Sequence, residues 1–291
     1  MTEIAVFGNC YQTGKERQLH LIFDKLEQMG VRLLIDVTFF HFLQEKTGLS
    51  PRHAELIADN DFAADVALSI GGDGTFLRTA ERVGDKNIPI LGINTGRLGF
   101  LADVTINDID PALTELYKND FRVEERTLLA LTMEQNGSER TFCALNEIAI
   151  LKRDNSSMIT IHVDINGTYL NSYEADGLVI ATPTGSTAYS LSVGGPIIEP
   201  QASDFVLSPV APHSLTTRPL VITDSSVLDI RTASRTDSFQ VSVDGHSYTV
   251  DTDQTLRIGK APYTIKVVKR NKHTFYDTLR DKLMWGADKR F

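Results

Sequence analysis

A single carboxylate, Asp73, is set among glycines in the run Ser69-Ile70-Gly71-Gly72-Asp73-Gly74-Thr75. The apolar residues 65–70 lead into it and an amphipathic stretch from Phe76 leads out, which predicts a buried strand, a tight turn and a helix. Glycines there admit positive φ and let the backbone approach a bulky ligand. The turn opens onto a helix N-terminus, whose free N–H groups and dipole favour phosphate. A carboxylate beside phosphate is repelled unless it has a task, such as taking a proton or holding Mg²⁺. These residues point to phosphoryl transfer. The plainer reading is a strand-to-helix turn in which the Asp braces the loop.

A second polar loop, Asn94-Thr95-Gly96-Arg97-Leu98-Gly99-Phe100-Leu101, follows the apolar residues 88–93 at the same sheet edge. It offers hydrogen bonds and the charge of Arg97 to a ligand, or it packs Leu98, Phe100 and Leu101 beneath a structural turn. Asn146-Glu147 sits in an otherwise apolar strand pattern covering 141–151. Adjacent strand residues face opposite ways, so one of the pair faces an interior or a cleft. A buried amide or carboxylate needs partners. A structural hydrogen-bond pair would meet that need, and so would a bound ribose or base.

The densest stretch is Glu174-Ala175-Asp176-Gly177, a strand, then Ala181-Thr182-Pro183-Thr184-Gly185-Ser186-Thr187-Ala188-Tyr189-Ser190. Pro183 and Gly185 make a rigid turn, and the hydroxyls of Thr184, Ser186 and Thr187 supply donors and an N-cap. The Tyr189 ring suits a base or ribose, and Gly194-Gly195-Pro196 stops the short helix. Ligand contact is the better reading of so many special residues.

Several familiar patterns are missing. There is no Gly-x-Gly-x-x-Gly. The run from Gly8 to Lys15 has five residues between its glycines instead of four and Glu16 in place of Ser or Thr, so it is no phosphate loop. The seven His residues show no metal-ligand spacing, and His162 reads as an ordinary strand residue. No Ser-His-Asp set can be assembled.

The formal charge of −9 argues against nucleic acid as a partner. It leaves room for an anionic small ligand held by N–H groups, Mg²⁺ and a few basic side chains. The 291 residues suffice for one large domain or two ordinary ones, and 42% hydrophobic with 23% charged residues is ordinary for a soluble protein. No stretch approaches the ~20 apolar residues of a membrane span, and the N-terminus lacks the basic region of a secretory signal. Cys10 and Cys143, far apart, read as free thiols in a reducing cytoplasm. The expectation is a cytoplasmic protein with no membrane partner.

The elements that must position these residues change character near residue 121. Before it, strands at 3–8, 31–37, 66–70 and 88–93 alternate with helices at 15–29, 75–83 and 106–118, which argues for a parallel sheet covered by helices. After it the pattern is mostly period two. Candidate strands are 122–133, 141–151, 160–164, 177–181, 227–231, 240–243, 247–250, 255–258 and 264–269. Asn136-Gly137, Asn166-Gly167 and Asp244-Gly245 mark hairpins. Residues 274–284 turn helical again, with Phe275, Leu279 and Leu283 in one stripe that could dock back on the first domain. The expected fold is an α/β N-terminal domain with a parallel sheet (1–121, plus the helix within 272–291) and an all-β, sandwich-like C-terminal domain (122–271).

Taken together, these segments resemble the NAD kinase family, bacterial type. The likeness rests on Gly71-Gly72-Asp73-Gly74-Thr75, Asn94-Thr95-Gly96 with Leu98-Gly99-Phe100-Leu101, Glu124-Glu125-Arg126, Asn146-Glu147, Asp176-Gly177, residues 182–192 and Gly194-Gly195-Pro196. Gly-Gly-Asp-Gly-Thr alone is shared with lipid kinases and phosphofructokinases; the Thr-Pro-Thr-Gly-Ser-Thr-Ala-Tyr run is far more specific. The resemblance implies transfer of the ATP γ-phosphoryl group to the 2′-hydroxyl of the adenosine ribose in NAD. It implies a site between the domains and a homodimer or homotetramer in which neighbouring subunits help complete it. On that basis Asp73 is the candidate base. Gly71, Gly72, Gly74 and Thr75 face phosphates, with Mg²⁺ held mainly through the ATP; Arg78, one turn into the helix, either reaches a phosphate or is a solvated helix-face charge. Asn146 and Glu147 hold the adenosine part, Asp176 contacts the dinucleotide, and Thr184, Thr187, Ala188, Tyr189, Ser190, Leu191 and Ser192 line the pocket. Asp244-Gly245 could border the site, but a plain hairpin turn is the better reading.

One position departs from the family. Many bacterial relatives carry Arg two residues before the Asp-Gly pair, and this chain has Glu174 there, which leaves the choice between NAD and NADH open. A lipid kinase would need an apolar cleft, against which the polar 182–189 run argues. A non-catalytic nucleotide sensor would have no use for Asp73.

Overall fold

A computed structural model describes residues 3–12, 14–96, 98–135, 137–153, 157–271 and 273–286. Arg97 and Asn136, named above, lie outside the described residues. The chain divides into two compact units, one of residues 1–125 and 265–291, the other of 126–264.

The first unit is built on parallel strands β1 (Glu3–Gly8), β2 (Arg32–Asp36), β3 (Glu55–Ile57), β4 (Val66–Gly71) and β5 (Ile90–Asn94). Their order is β3-β2-β1-β4-β5, with Ile4 opposite both Leu33 and Val66. Every residue of β4 and β5 is buried, as their unbroken apolar runs require. Helix α1 (Glu16–Met29) buries Leu19, Ile22, Phe23 and Leu26, one helical stripe, and ends at Gly30 in the left-handed region (φ 65°). Helix α2 (Val37–Phe42), extended by a wider turn over Leu43–Thr47, and strand β3 escaped the sequence reading. The Asp36 side chain accepts from the Phe39 N–H to start α2. Helix α3 (Asp73–Val83) begins at Asp73 itself, two residues earlier than expected, and α4 (Ile109–Tyr117) packs Leu113 and Leu116 into the same core.

In the second unit the strands are antiparallel. They are β6 (Arg122–Gln135, entering from the first unit), β7 (Ser138–Ala144), β8 (Glu147–Leu151), β9 (Ile159–Ile165), β10 (Thr168–Ala175) and β11 (Gly177–Ala181). The short helix α5 (Tyr189–Ser192) follows, then β12 (Asp204–Val210), β13 (Leu220–Thr223), β14 (Leu228–Ala233), β15 (Ser238–Val243), β16 (His246–Asp251) and β17 (Thr255–Lys269). One sheet runs β13-β12-β11-β8-β15-β16; the other contains β10-β9-β14-β17. Ile148, Leu178, Leu207 and Val241 from the first and Ile161, Val163, Ile230 and Ile258 from the second share one core, a sandwich. Two expectations are corrected here. Residues 141–151 are not one strand but β7 and β8, broken at Leu145 and Asn146. Residues 255–258 and 264–269 are not two strands but the single β17.

From Ile265 onward β17 belongs to the first unit, where Val267 pairs in parallel with Ile90 of β5. Helix α6 (Phe275–Leu283) ends that unit. Thr274 and Asp277 form a reciprocal capping box, and the Phe275 ring lies 6.1 Å from that of Phe100, so α6 docks as its apolar stripe suggested.

Candidate active site

In the first unit the chain leaves β1 and β4 side by side and in opposite directions across the sheet, so their carboxyl ends flank the point where a parallel sheet leaves a crevice. Asp73 stands there as the first residue of α3, with Gly72 as N-cap. Contrary to expectation, the glycines do not serve through positive φ: none of Gly71, Gly72 and Gly74 has it, and Gly72 is extended (φ −105°, ψ −171°). Gly71 is required because a Cβ would strike the Thr75 side chain, whereas a Cβ at Gly72 or Gly74 would meet open space. The backbone is therefore bare beside Asp73. A cleft of about 440 Å³ opens along α3 beside the end of β1, lined by Gly8, Asp36, Thr75, Arg78 and Arg82 among others but not by Asp73 or its flanking glycines. The Arg78 guanidinium donates to Thr75 Oγ1 at 3.3 Å, and Arg82 is tied to Asp36 at 3.1 Å.

The Asp73 carboxylate is itself a clamp. Oδ2 accepts from the Phe100 N–H at 2.9 Å, and Oδ1 accepts from the Leu101 and Ala102 N–H groups, both at 3.0 Å. Gly99 must be glycine, since a Cβ there would fall on Asp73 Oδ1. The second polar loop is thus wrapped around the first. Lys269 steadies it from behind through a buried ion pair with Asp103 at 2.6 Å, and the Lys282 ammonium adds a fourth donor to Asp73 Oδ2 at 3.3 Å. Sequence reasoning missed both lysines, which carry no local signal.

The second unit holds a matching device that the hairpin reading of Asp244-Gly245 did not foresee. The turn forms (φ 46° and 90°), but the Asp244 carboxylate also accepts from the N–H groups of Leu145, Asn146 and Glu147 at 2.7, 2.9 and 3.0 Å. Those bonds break the strand at 145–146. Thr182 locks the bend from the other side, its N–H donating to the Asn146 carbonyl and its hydroxyl to that of Leu145. A Cβ at Gly185 would fall on the Asn146 carbonyl, which explains that glycine. Asn146 and Glu147 are therefore brought against the 182–190 turn.

Here the hydroxyls brace rather than cap: neither short helix of the turn has a side-chain N-cap bond. Ser186 bonds Pro183 and Ile198, Thr187 Oγ1 donates to the Thr184 carbonyl, and Ser190 is fully buried against Ser208 at 2.9 Å. Ala188, Tyr189 and Leu191 are half-buried and Ser192 is exposed. Two polar atoms, Glu147 Oε2 and Thr184 Oγ1, are buried without a hydrogen-bond partner. Burial, with the charge of Asp244 adding to it, pushes the Glu147 carboxyl up to about 7 against a bond from the Tyr189 N–H.

Asp176 is not part of that group. It precedes β11 while Thr182 follows it, roughly 20 Å apart at strand rise, and it pairs with Lys152 at 2.6 Å. Glu174 is exposed, with His213 Nδ1 at 3.9 Å. Among the described residues no group of three or more His, Cys, Asp or Glu could hold a metal ion, so the side chains present do not by themselves build a metal site.

Comparison with known proteins gives consistent results. Residues 22–121 match the ATP-NAD kinase N-terminal domain and residues 145–270 the ATP-NAD kinase C-terminal domain. The chain is 51% identical over 288 residues to the NAD kinase of Bacteroides fragilis, covering 99% of both chains. It is 44% identical over 287 residues to that of Porphyromonas gingivalis, again with 99% of each covered. The crystal structure of an NAD kinase from Archaeoglobus fulgidus in complex with ATP superposes with a TM-score of 0.72 at 25% identity, covering 98% of both chains. The yeast NADH kinase complexed with NADH superposes over 100% of this chain and 89% of that one with a TM-score of 0.91; at 22% identity that likeness speaks for the fold.

Proposed function

The chain belongs to the NAD kinase family, and from that membership we propose that it phosphorylates the 2′-hydroxyl of the adenosine ribose of NAD at the expense of ATP. The observation that carries this reading is Asp73 fixed at the first position of α3, with bare backbone at Gly72 and Gly74 on either side. An alcohol is a poor nucleophile at pH 7, so a base should take its proton as it attacks. Asp73 is that base. The 2′-oxygen bonds to the γ-phosphorus, the bond from that phosphorus to the β–γ bridging oxygen breaks, and the electron pair leaves on ADP. The rest of catalysis is positioning and charge neutralisation. The N–H groups of the α3 N-terminus and Arg78 suit the triphosphate. A divalent cation such as Mg²⁺ would arrive on the phosphates and supply further neutralisation.

In the second unit Asn146 and Glu147 hold the adenosine. The orphaned Glu147 Oε2 and Thr184 Oγ1 support this, because buried polar atoms without partners are costly unless a ligand completes them. Tyr189, with Thr187, Ala188 and Leu191, borders the same bend, and Ser190 braces it from within. Asp176, at the far end of β11, meets another part of the dinucleotide or serves a neighbouring subunit. A cytoplasmic homodimer or homotetramer completes the proposal; among the described residues no helix is long and apolar enough to cross a membrane.

The test is NADP formation by the purified protein with Mg²⁺, ATP and NAD, with NADH run in parallel. NADP from NAD supports the reading, and product from NADH as well makes Glu174 the first residue to exchange. No product from either, in folded protein, overturns it.

A further inference from the structure

Lys282 lies outside every motif of the sequence, yet its ammonium stands at the carboxylate on which the proposed chemistry turns. Helix α6 puts it there, fixed by the Thr274–Asp277 capping box, by buried Thr278 and Leu279, and by the Phe275 ring against Phe100. The Lys282 Nζ is 3.3 Å from Asp73 Oδ2 and 4.5 Å from the centre of the Phe100 ring. A carboxylate offers about four lone-pair positions. Three of Asp73's are taken, at 2.9, 3.0 and 3.0 Å, by backbone N–H groups that cannot leave without unmaking their loop. The fourth and longest contact belongs to a flexible side chain that is 31% exposed. A hydroxyl that is to give its proton to Asp73 has one place to bind, and Lys282 occupies it.

We infer that Lys282 is a displaceable positioning cation of the phosphoryl-transfer site. It aims and neutralises Asp73 in the resting protein, yields Oδ2 to the incoming ribose hydroxyl, and turns its ammonium onto the oxygens of the transferring phosphoryl group. The face of the Phe100 ring keeps the freed ammonium close, since a cation is attracted to an aromatic face. The inference rests on the function proposed above and adds a residue from the C-terminal helix to it.

Steady-state kinetics of full-length Lys282→Ala and Lys282→Arg, beside the wild type and with melting curves for each, test it. Loss of a charge-assisted contact to phosphate should lower kcat of the Ala variant about 10- to 100-fold. The KM for NAD should not rise, because the dinucleotide binds by displacing this contact rather than by using it. The Arg variant should recover most of kcat, and the melting curves should superimpose. Wild-type kcat in the Ala variant overturns the inference, as does an Arg variant no better than Ala. So does a loss of kcat that tracks a fall in melting temperature in both, which would mark Lys282 as a helix-end charge only. A wild type that makes no NADP overturns the proposed function and this inference together. An active wild type with a normal Ala variant overturns this inference alone.

Discussion

Asp73 carries two tasks on one carboxylate: it anchors Phe100, Leu101 and Ala102, and it is the proposed proton acceptor. Asparagine preserves its size but turns an NH₂ group toward N–H donors. Asp73→Asn should therefore cost about 1–3 kcal/mol of stability, and turnover should fall by about 10²–10⁴. A rate loss under about tenfold would leave the residue an anchor and nothing more. Glu147 presents the opposite case, a carboxyl with a free oxygen and a raised pKa. Its value goes from 4.5 to about 7 on folding, chiefly through burial. Across that window the folded protein binds this proton more tightly than the unfolded chain, so the contribution of Glu147 to stability is fully present below pH 4.5 and is lost as pH rises through about 7. The full shift corresponds to about 3 kcal/mol. Urea unfolding of Glu147→Gln at about pH 5 and about pH 7.5 should show this slope flattened relative to the wild type. An unchanged slope would mean another group sets it.

Between β7 and β8 the chain bends because Asp244 draws three consecutive amides onto one carboxylate, as Asp73 does at 100–102. Asp244→Ala leaves those donors without their acceptor and should cost about 2–4 kcal/mol. It should also raise the KM for NAD and move the Glu147 titration to lower pH, since the Asp244 charge helps raise it. A normal KM would separate the bend from dinucleotide binding. The sequence shows one half of this construction and hides the other. Thr182, Pro183, Thr184 and Gly185 are legible because each is a local signal for a turn. Asp244 lies 97 to 99 positions from the amides it holds, and Asp-Gly is already accounted for as a hairpin. The same limit applies to whole elements. Val37, Phe39, Phe40 and Phe42 favour strand by propensity, yet Asp36 caps a helix and Phe39 fills the space over Gly8 that only a glycine leaves. Strand β10 loses its alternation to an irregularity between Tyr169 and Asn171, and β12 carries Pro209 near its end, beyond the last residue paired with β13. The alternating βα pattern of the first unit and the period-two pattern of the second were plain, because burial repeats along each element.

At the scale of the whole chain, the first unit is discontinuous: residues 265–291 return to it after the second unit is complete. The returning segment is fastened by buried Ile265, Val267 and Val268 and by ion pairs. Lys269 and Asp103 pair at 2.6 Å with both side chains 8% exposed, and Arg270 reaches Glu115 at 2.8 Å and Asp108 at 2.9 Å. Arg122 adds bonds to the carbonyls of Arg270 and His273. A buried pair repays its desolvation only while both partners stay. Lys269→Met should therefore destabilise the protein by about 3–5 kcal/mol, because Asp103 is left charged and buried. Adding Asp103→Asn should restore part of that loss, because the uncompensated charge is gone, and the double-mutant cycle should return a coupling of about 1–3 kcal/mol. The consequence reaches beyond stability. Lys269 and Arg270 lie just ahead of α6, with Asn271 bonded to Asp120 and the His273 carbonyl to Arg122 beyond them, and α6 carries Lys282 to Asp73. Lys269→Met should thus lower kcat even under conditions where the protein remains fully folded, and the double variant should recover activity alongside stability. Independent responses of activity and stability would show that α6 holds its place without the ion pair behind the loop.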